Sequence, residues 1–307
     1  MIRRLLAVAR MTLLEAVRSR LLLAIGLVHG AGTAYAVLIG ALSLGHESRV
    51  IADVSLASFS LVSLTLVVVH AATSVELDVS RKAVLTILTR ALHRSEWICG
   101  KYLGIIAALL LFAGSGTALS LAIASGVEGT SSRPLLALAI ALPMVLALAM
   151  SRIKLLASYT YIWPLVSLAA VLLINRDPSA IIFLRGATLA LLEAALVAAV
   201  ALFFATFAGP VPTALFTLGI VLVGRSADML AKLPKRSFPE SVVTAGRYLS
   251  HAVPNLHAYV PPHAVLTGLD PNVDPGWLIL HGAAHAAAWS VLLLAGAALV
   301  TDRRELG

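Results

Sequence analysis

Long apolar runs separated by short charged gaps set the rhythm of this chain. Runs over about 21–44, 51–75, 102–125, 134–150, 155–174, 187–207, 210–225 and 277–300 are almost free of Asp, Glu, Lys and Arg. A helix needs about 20 such residues to cross a hydrocarbon core of ~30 Å. None of the runs alternates apolar and polar residues as a barrel strand does. Lipid offers no partner for an exposed peptide group, so the spanning solution left is the helix, which bonds its own backbone. The predicted fold is all-α: a polytopic transmembrane bundle of six to eight spans, forming one domain over 1–307. Pro143 and Pro164 interrupt the fourth and fifth runs. If those two lie flat or re-enter, six spans remain.

The gaps carry their own pattern. At 100° per residue, Arg3, Arg4, Arg10, Glu15 and Arg18 fall on one side of the first twenty residues. Ile2, Leu5, Leu6, Ala9, Leu13, Ala16 and Val17 fall on the other, and Met11 and Leu14 intrude on the polar face. Residues 1–20 therefore predict an amphipathic helix lying in a membrane interface. Arg10, Arg18 and Arg20 interrupt what a cleavable signal would keep apolar, so the segment does not read as one. In the 76–101 segment, Val84, Ile87, Leu88 and Leu92 recur at helical spacing among Arg81, Lys82, Arg90 and Arg94. The segment 226–276 holds Pro234, Pro239, Pro254, Pro261, Pro262, Pro271 and Pro275, so it forms no single long helix, although 241–252 suits a short amphipathic one.

Basic residues orient the bundle. With the N-terminus inside, Arg3, Arg4, Arg10, Arg18, Arg20, Arg81, Lys82, Arg90, Arg94, Lys101, Arg152, Lys154, Arg303 and Arg304 are cytoplasmic. The short outer loops keep only Arg49, Arg133, Arg176 and Arg185. This bias predicts cytoplasmic termini, a cytoplasmic 76–101 loop and an external 226–276 region, and the richness in Ala, Leu and Arg is compatible with a bacterial inner membrane as the cell membrane concerned.

Composition narrows the class further. The chain is 60% hydrophobic and 12% charged, with a mean hydropathy of +0.96, whereas soluble domains carry about 25% charged residues. The net charge of +8 resides in the gaps rather than along one continuous stripe, which argues against a nucleic-acid partner. The single cysteine, Cys99, excludes an intramolecular disulfide.

Motifs for chemistry are few. The chain has no G-x-x-x-x-G-K-[ST] sequence, because Gly100-Lys101 is followed by Tyr102, so it offers no P-loop and is not expected to be an enzyme. Glu193 is the one carboxylate well inside an apolar run; it is either protonated or paired with a neighbouring helix, in a structural or a proton-carrying role. His281 and His285 stand one helical turn apart and, with His251, His257 and His263, form a weak candidate metal set. An ion-coupled secondary transporter, acting through Glu193 without an ATPase, is one function that these groups would serve. A membrane-embedded enzyme has only Asp228, Glu240, Asp270, Asp274 and these histidines to draw on, and their spacing matches no known motif.

Several stretches together resemble one family. They are Glu76-Leu-Asp78, Val84-Leu-Thr-Ile-Leu88, Thr89-Arg90-Ala-Leu-His-Arg94, Glu96-Trp97 and Gly100-Lys101-Tyr-Leu-Gly104, then Phe203-Phe-Ala-Thr-Phe-Ala-Gly-Pro210, Val253-Pro-Asn-Leu256 and Thr301-Asp-Arg-Arg-Glu305. In that order they resemble ABC transporter permeases of the type-2 exporter branch, and Leu14-Glu15-Ala16 with Arg18-Ser-Arg20 fits that family's entry helix. Ala91 departs from the family's usual proline, and 130–185 exceeds its common six-span plan. The resemblance implies a permease subunit without catalytic residues or cofactors of its own. ATP and Mg would sit on a separate cytoplasmic ATP-binding subunit, and a second permease copy or paralogue would complete the pathway. It further implies that Glu76, Asp78, Arg90, Arg94, Glu96 and Lys101 couple to that subunit, with Phe207, Gly209 and Pro210 as a second contact.

Overall fold

The computed structural model describes residues 2–43, 45–80, 93–127, 178–234, 238–271 and 273–303, together with residues 164, 166, 168 and 169. Among the described residues every regular element is a helix. In order they are α1 (Ile2–Arg18), α2 (Leu21–Leu42), α3 (Glu47–Ser80), α4 (Arg94–Val127), α5 (Pro178–Ala205), α6 (Pro210–Arg225), α7 (Ala227–Ala231), α8 (Glu240–Ala252), a 3-10 turn (His257–Tyr259), α9 (His263–Thr267) and α10 (Pro275–Arg303).

Five of these helices are long and apolar enough to cross a bilayer, over Leu21–Leu42, Arg49–Asp78, Arg94–Ala124, Ala180–Ala205 and Pro275–Thr301. They match five of the predicted runs, and the fold is the expected all-α, multi-pass helix bundle. α6 is apolar as well, but its 16 residues reach only about 24 Å at 1.5 Å per residue. The predicted runs at 134–150 and 155–174 fall outside the described residues, apart from helical positions 164, 166, 168 and 169.

α3 is the centre of the bundle, touched by α2, α4, α5 and α6, while α5 meets α4, α6 and α10. The interior holds fully buried Phe59 and Leu66 of α3 and Leu189 and Leu196 of α5, together with buried Ala194, Ala198, Ala199 and Ala201, small residues of the kind that let neighbouring helices approach. A polar tie between α2 and α4 crosses this apolar interior. His29 of α2 places Nε2 3.0 Å from Ser120 Oγ and 3.2 Å from the Gly116 carbonyl on α4, with its ring edge-on to Phe59 and Phe112. A buried imidazole needs such partners, because lipid supplies none.

The ends of the helices sort into two groups. At one end α1 lies on α4, Arg94 donates to the Thr301 carbonyl of α10, and Phe203 of α5 packs beside Gly296. At the opposite end Arg185 of α5 donates to the Leu266 carbonyl at 2.8 Å, His263 faces Asp53 of α3 at 3.5 Å, and Tyr259 donates to the Gly282 carbonyl at 3.0 Å.

α1 corrects its own expectation in part. Ile2, Leu6 and Met11 are exposed, which suits an apolar flank turned to a membrane. The buried stripe, however, is Val8, Thr12 and Ala16 at four-residue spacing, and Glu15 turns inward rather than staying with the arginines. The cause is a flat groove on α4. A Cβ on Gly100 would come within 2.7 Å of Val8 Cβ, and one on Gly104 within 2.6 Å of the Ala9 carbonyl. Only glycines let the two backbones come this close. Between α1 and α2 the chain turns at Arg20, whose φ of 61° is left-handed, a conformation that costs a non-glycine residue about 1–2 kcal/mol.

Past α6 the chain folds back on itself. The Leu256 N–H donates to the Gly224 carbonyl at 3.0 Å, tying the returning chain to the last turn of α6. Asn255 Nδ2 donates to Asp228 Oδ1 at 2.7 Å. The predicted short amphipathic helix is α8, which buries Val243 and Gly246 and leaves Val242, Tyr248 and Leu249 exposed.

Candidate functional site

Glu193 stands fifteen residues into α5, about 22 Å along its axis from Pro178, and is fully buried. α6 is short enough to bring its last residue, Arg225, to the same depth. Arg225 meets the carboxylate side-on, with Nε donating to Oε1 at 2.8 Å and Nη2 to Oε2 at 2.9 Å. Nη2 also donates to Ser60 Oγ of α3 at 2.8 Å. Of the two fates open to Glu193 from sequence, the structure shows pairing. Such a two-bond pair is charge-neutral and fixes three helices at one point.

A cavity of about 360 Å³ opens above this pair, toward the end that holds Asp53 and His263. Its walls are Leu56, Ala57 and Leu61 of α3 and Gly186 and Ala190 of α5, its floor is Ser60 and Arg225, and its roof is the 259–266 turn. Tyr259 anchors that roof. Its hydroxyl donates to Gly282 and lies 2.9 Å from His285 Nδ1. Burial, and then the negative charge of Glu193, push the phenol above its ordinary pKa, so it stays protonated.

A second polar cluster lies at the other end, beneath α1. Lys101 of α4 is buried, with Nζ 2.8 Å from Asp78 Oδ2, 3.6 Å from Glu15 Oε2 and 3.0 Å from the Ser74 carbonyl. Trp97 Nε1 donates to the same Asp78 oxygen at 3.1 Å. A desolvated ammonium is tolerable here because its donors and charge are met.

The residues predicted to couple to a partner divide between surface and interior. Glu76, Phe207 and Gly209 are exposed, and Pro210 is half-buried. Phe207 closes an aromatic cluster with Phe203 and Phe204, and Gly209 and Pro210 begin α6 as N-cap and first-turn proline. Asp78 and Lys101 are interior partners of one another. Glu96 is buried too, and its carboxylate accepts the His93 N–H at 3.3 Å, one half of a capping box for α4. Arg94 ties α4 to α10. Arg90 lies outside the described residues.

The histidines do not converge. His281 stacks on Trp277 at 5.0 Å, His285 is engaged by Tyr259, His251 Nδ1 lies 2.7 Å from its own helix's Arg247 carbonyl, and His263 faces Asp53. Among the described residues, no three His, Cys, Asp or Glu side chains are placed to hold a metal ion.

Arg225, Ser60 and Glu15 belong to these two clusters, yet sequence reasoning does not single them out as site residues. One signal is present: an apolar run too short to span that closes on an arginine, elsewhere in the chain from a lone intramembrane acid. No protein-family model, curated protein or solved structure matches the chain.

Proposed function

We propose that this chain is the transmembrane permease subunit of an ATP-driven transporter of the type-2 exporter kind, which takes its force from a separate ATP-binding subunit. The observation that carries the reading is the arrangement of one end of the bundle. α1, the ends of α3 and α4 that flank 81–92, and the Phe207–Pro210 turn lie at that end, and Glu76 and Phe207 are exposed. The two stretches that resemble partner contacts in sequence thus lie at the same end of the bundle, which supports the reading.

Force arriving at that face has a stiff route inward. Asp78 and Lys101 lock α3 to α4, and Glu15 and the glycine groove lock α1 to α4. A push on the 76–101 segment would move these three helices as a unit. α3 would carry the motion to Ser60, Arg225 and the cavity, as rigid-body switching requires. The ion-coupled alternative rests on Glu193, and both oxygens of that carboxylate are already engaged by Arg225. ATP and Mg belong on the partner subunit, and a second permease copy would complete the pathway.

The test is co-purification followed by kinetics. The chain, isolated from its native membrane, is expected to bring with it a P-loop ATPase whose activity it stimulates. Glu76→Lys combined with Phe207→Leu, which keeps an apolar side chain beside Phe203 and Phe204, should leave the fold intact and lower the stimulation about tenfold, a loss of ~1.4 kcal/mol in coupling. Full stimulation by the folded double variant would refute the reading.

A further inference from the structure

The cavity above Arg225 has a definite chemical character. Leu56, Ala57, Leu61 and Ala190 make its walls apolar, and Leu61 is 58% exposed, so the opening follows the outer face of α3, where hydrocarbon would lie. Its volume of about 360 Å³ falls within the usual range for small-ligand pockets, roughly 300–1,000 Å³.

At the floor, Arg225 uses Nε and Nη2 for Glu193 and Ser60. Its remaining amino group, Nη1, makes no hydrogen bond among the described residues. With 30% of the Arg225 side chain exposed, that amino group stays open to an acceptor entering the cavity. That acceptor is not an anion. Arg225 is already neutralised by a carboxylate at 2.8 Å, and a second negative charge beside Glu193 in a low-dielectric site would be repelled.

We propose that this cavity binds a membrane-soluble molecule with an elongated apolar body and a neutral carbonyl-type oxygen at its inner end, the oxygen accepting from Arg225. The site stands apart from the ATPase-coupled reading, because binding needs no partner subunit and is measured without one.

The experiment uses the purified full chain in lipid nanodiscs and three photoreactive diazirine probes of equal chain length: a methyl ketone, a fatty carboxylate and a fatty amine. The ketone is expected to label peptides covering 53–61 and 259–266 saturably, about tenfold above either charged probe at equal concentration. Ala57→Phe fills the cavity without touching the Arg225–Glu193 pair and should abolish that labelling, whereas Ala57→Ser should keep it. Labelling that does not saturate, that persists unchanged in folded Ala57→Phe, or that is strongest with the carboxylate or the amine would overturn the proposal.

Discussion

Lys101 and Asp78, two residues whose sequence context suggests a surface for a partner, face each other inside the protein, with Nζ 2.8 Å from Oδ2. Glu15 of α1 approaches the same ammonium at 3.6 Å. The lysine therefore draws together two acids, on two different helices, that would otherwise repel one another.

Removing that lysine should release α1. In Lys101→Met, Asp78 and Glu15 lose the positive charge that both approach, and breaking a buried pair in this way costs about 3–5 kcal/mol. The expected outcome is loss of amide-exchange protection across 5–16, with α3 and α5 still protected. Full protection of α1 in the variant would show that the charges do not hold it.

The glycine groove makes a separate prediction about the same contact. At Gly104, a new Cβ would meet Thr12 Cβ at 2.5 Å and the Ala9 carbonyl at 2.6 Å. Backbone cannot yield as a side chain does, so Gly104→Val should destabilise by roughly 1–3 kcal/mol, as overpacking does. Gly219, in the exposed middle of α6, has nothing within 4 Å of its Cβ position. Gly219→Ala should instead be neutral or stabilise by up to ~1 kcal/mol. Denaturant unfolding in detergent compares the two.

The buried pair at mid-depth predicts an asymmetry between single and double variants. Glu193→Ala leaves Arg225 without its counter-ion, and Arg225→Ala strands a fully buried carboxylate. Each should lower stability by about 3 kcal/mol or more. Glu193→Leu with Arg225→Met removes both charges and should recover most of that loss. Equal destabilisation of the double and single variants would mean that packing, not charge, dominates at this point.

Much of the helix plan is legible because lipid leaves so little choice. A run of some 20 apolar residues has one way to satisfy its backbone in a membrane, so α2, α3, α4, α5 and α10 come from hydropathy alone. The amphipathic stretch 241–252 likewise forms α8. The partnerships are not legible. Glu15 lies with the arginines on a helical wheel, yet it turns inward because Gly100 and Gly104, far along the chain, allow α1 to sink into α4. Glu193 shows that a partner is needed but not where it lies, since Arg225 reaches it only because α6 stops short. Asp78 and Lys101 read as surface charge because sequence records polarity, whereas burial depends on what comes to cover a residue.

Orientation supplies the last prediction. The proposed coupling face includes Glu76, at the α1 end, while Leu269 lies at the opposite end and is 79% exposed. From the arginine and lysine bias, the α1 end is expected in the cytoplasm. In a Cys99→Ser background, Leu269→Cys should react with an impermeant thiol reagent added to intact cells. Glu76→Cys should react only after the membrane is opened. Both positions are exposed, so differences in reactivity report sidedness rather than burial. The reverse pattern would turn the face that carries Glu76 and Phe207 away from the compartment that holds ATP, and no ATP-binding subunit could then drive it.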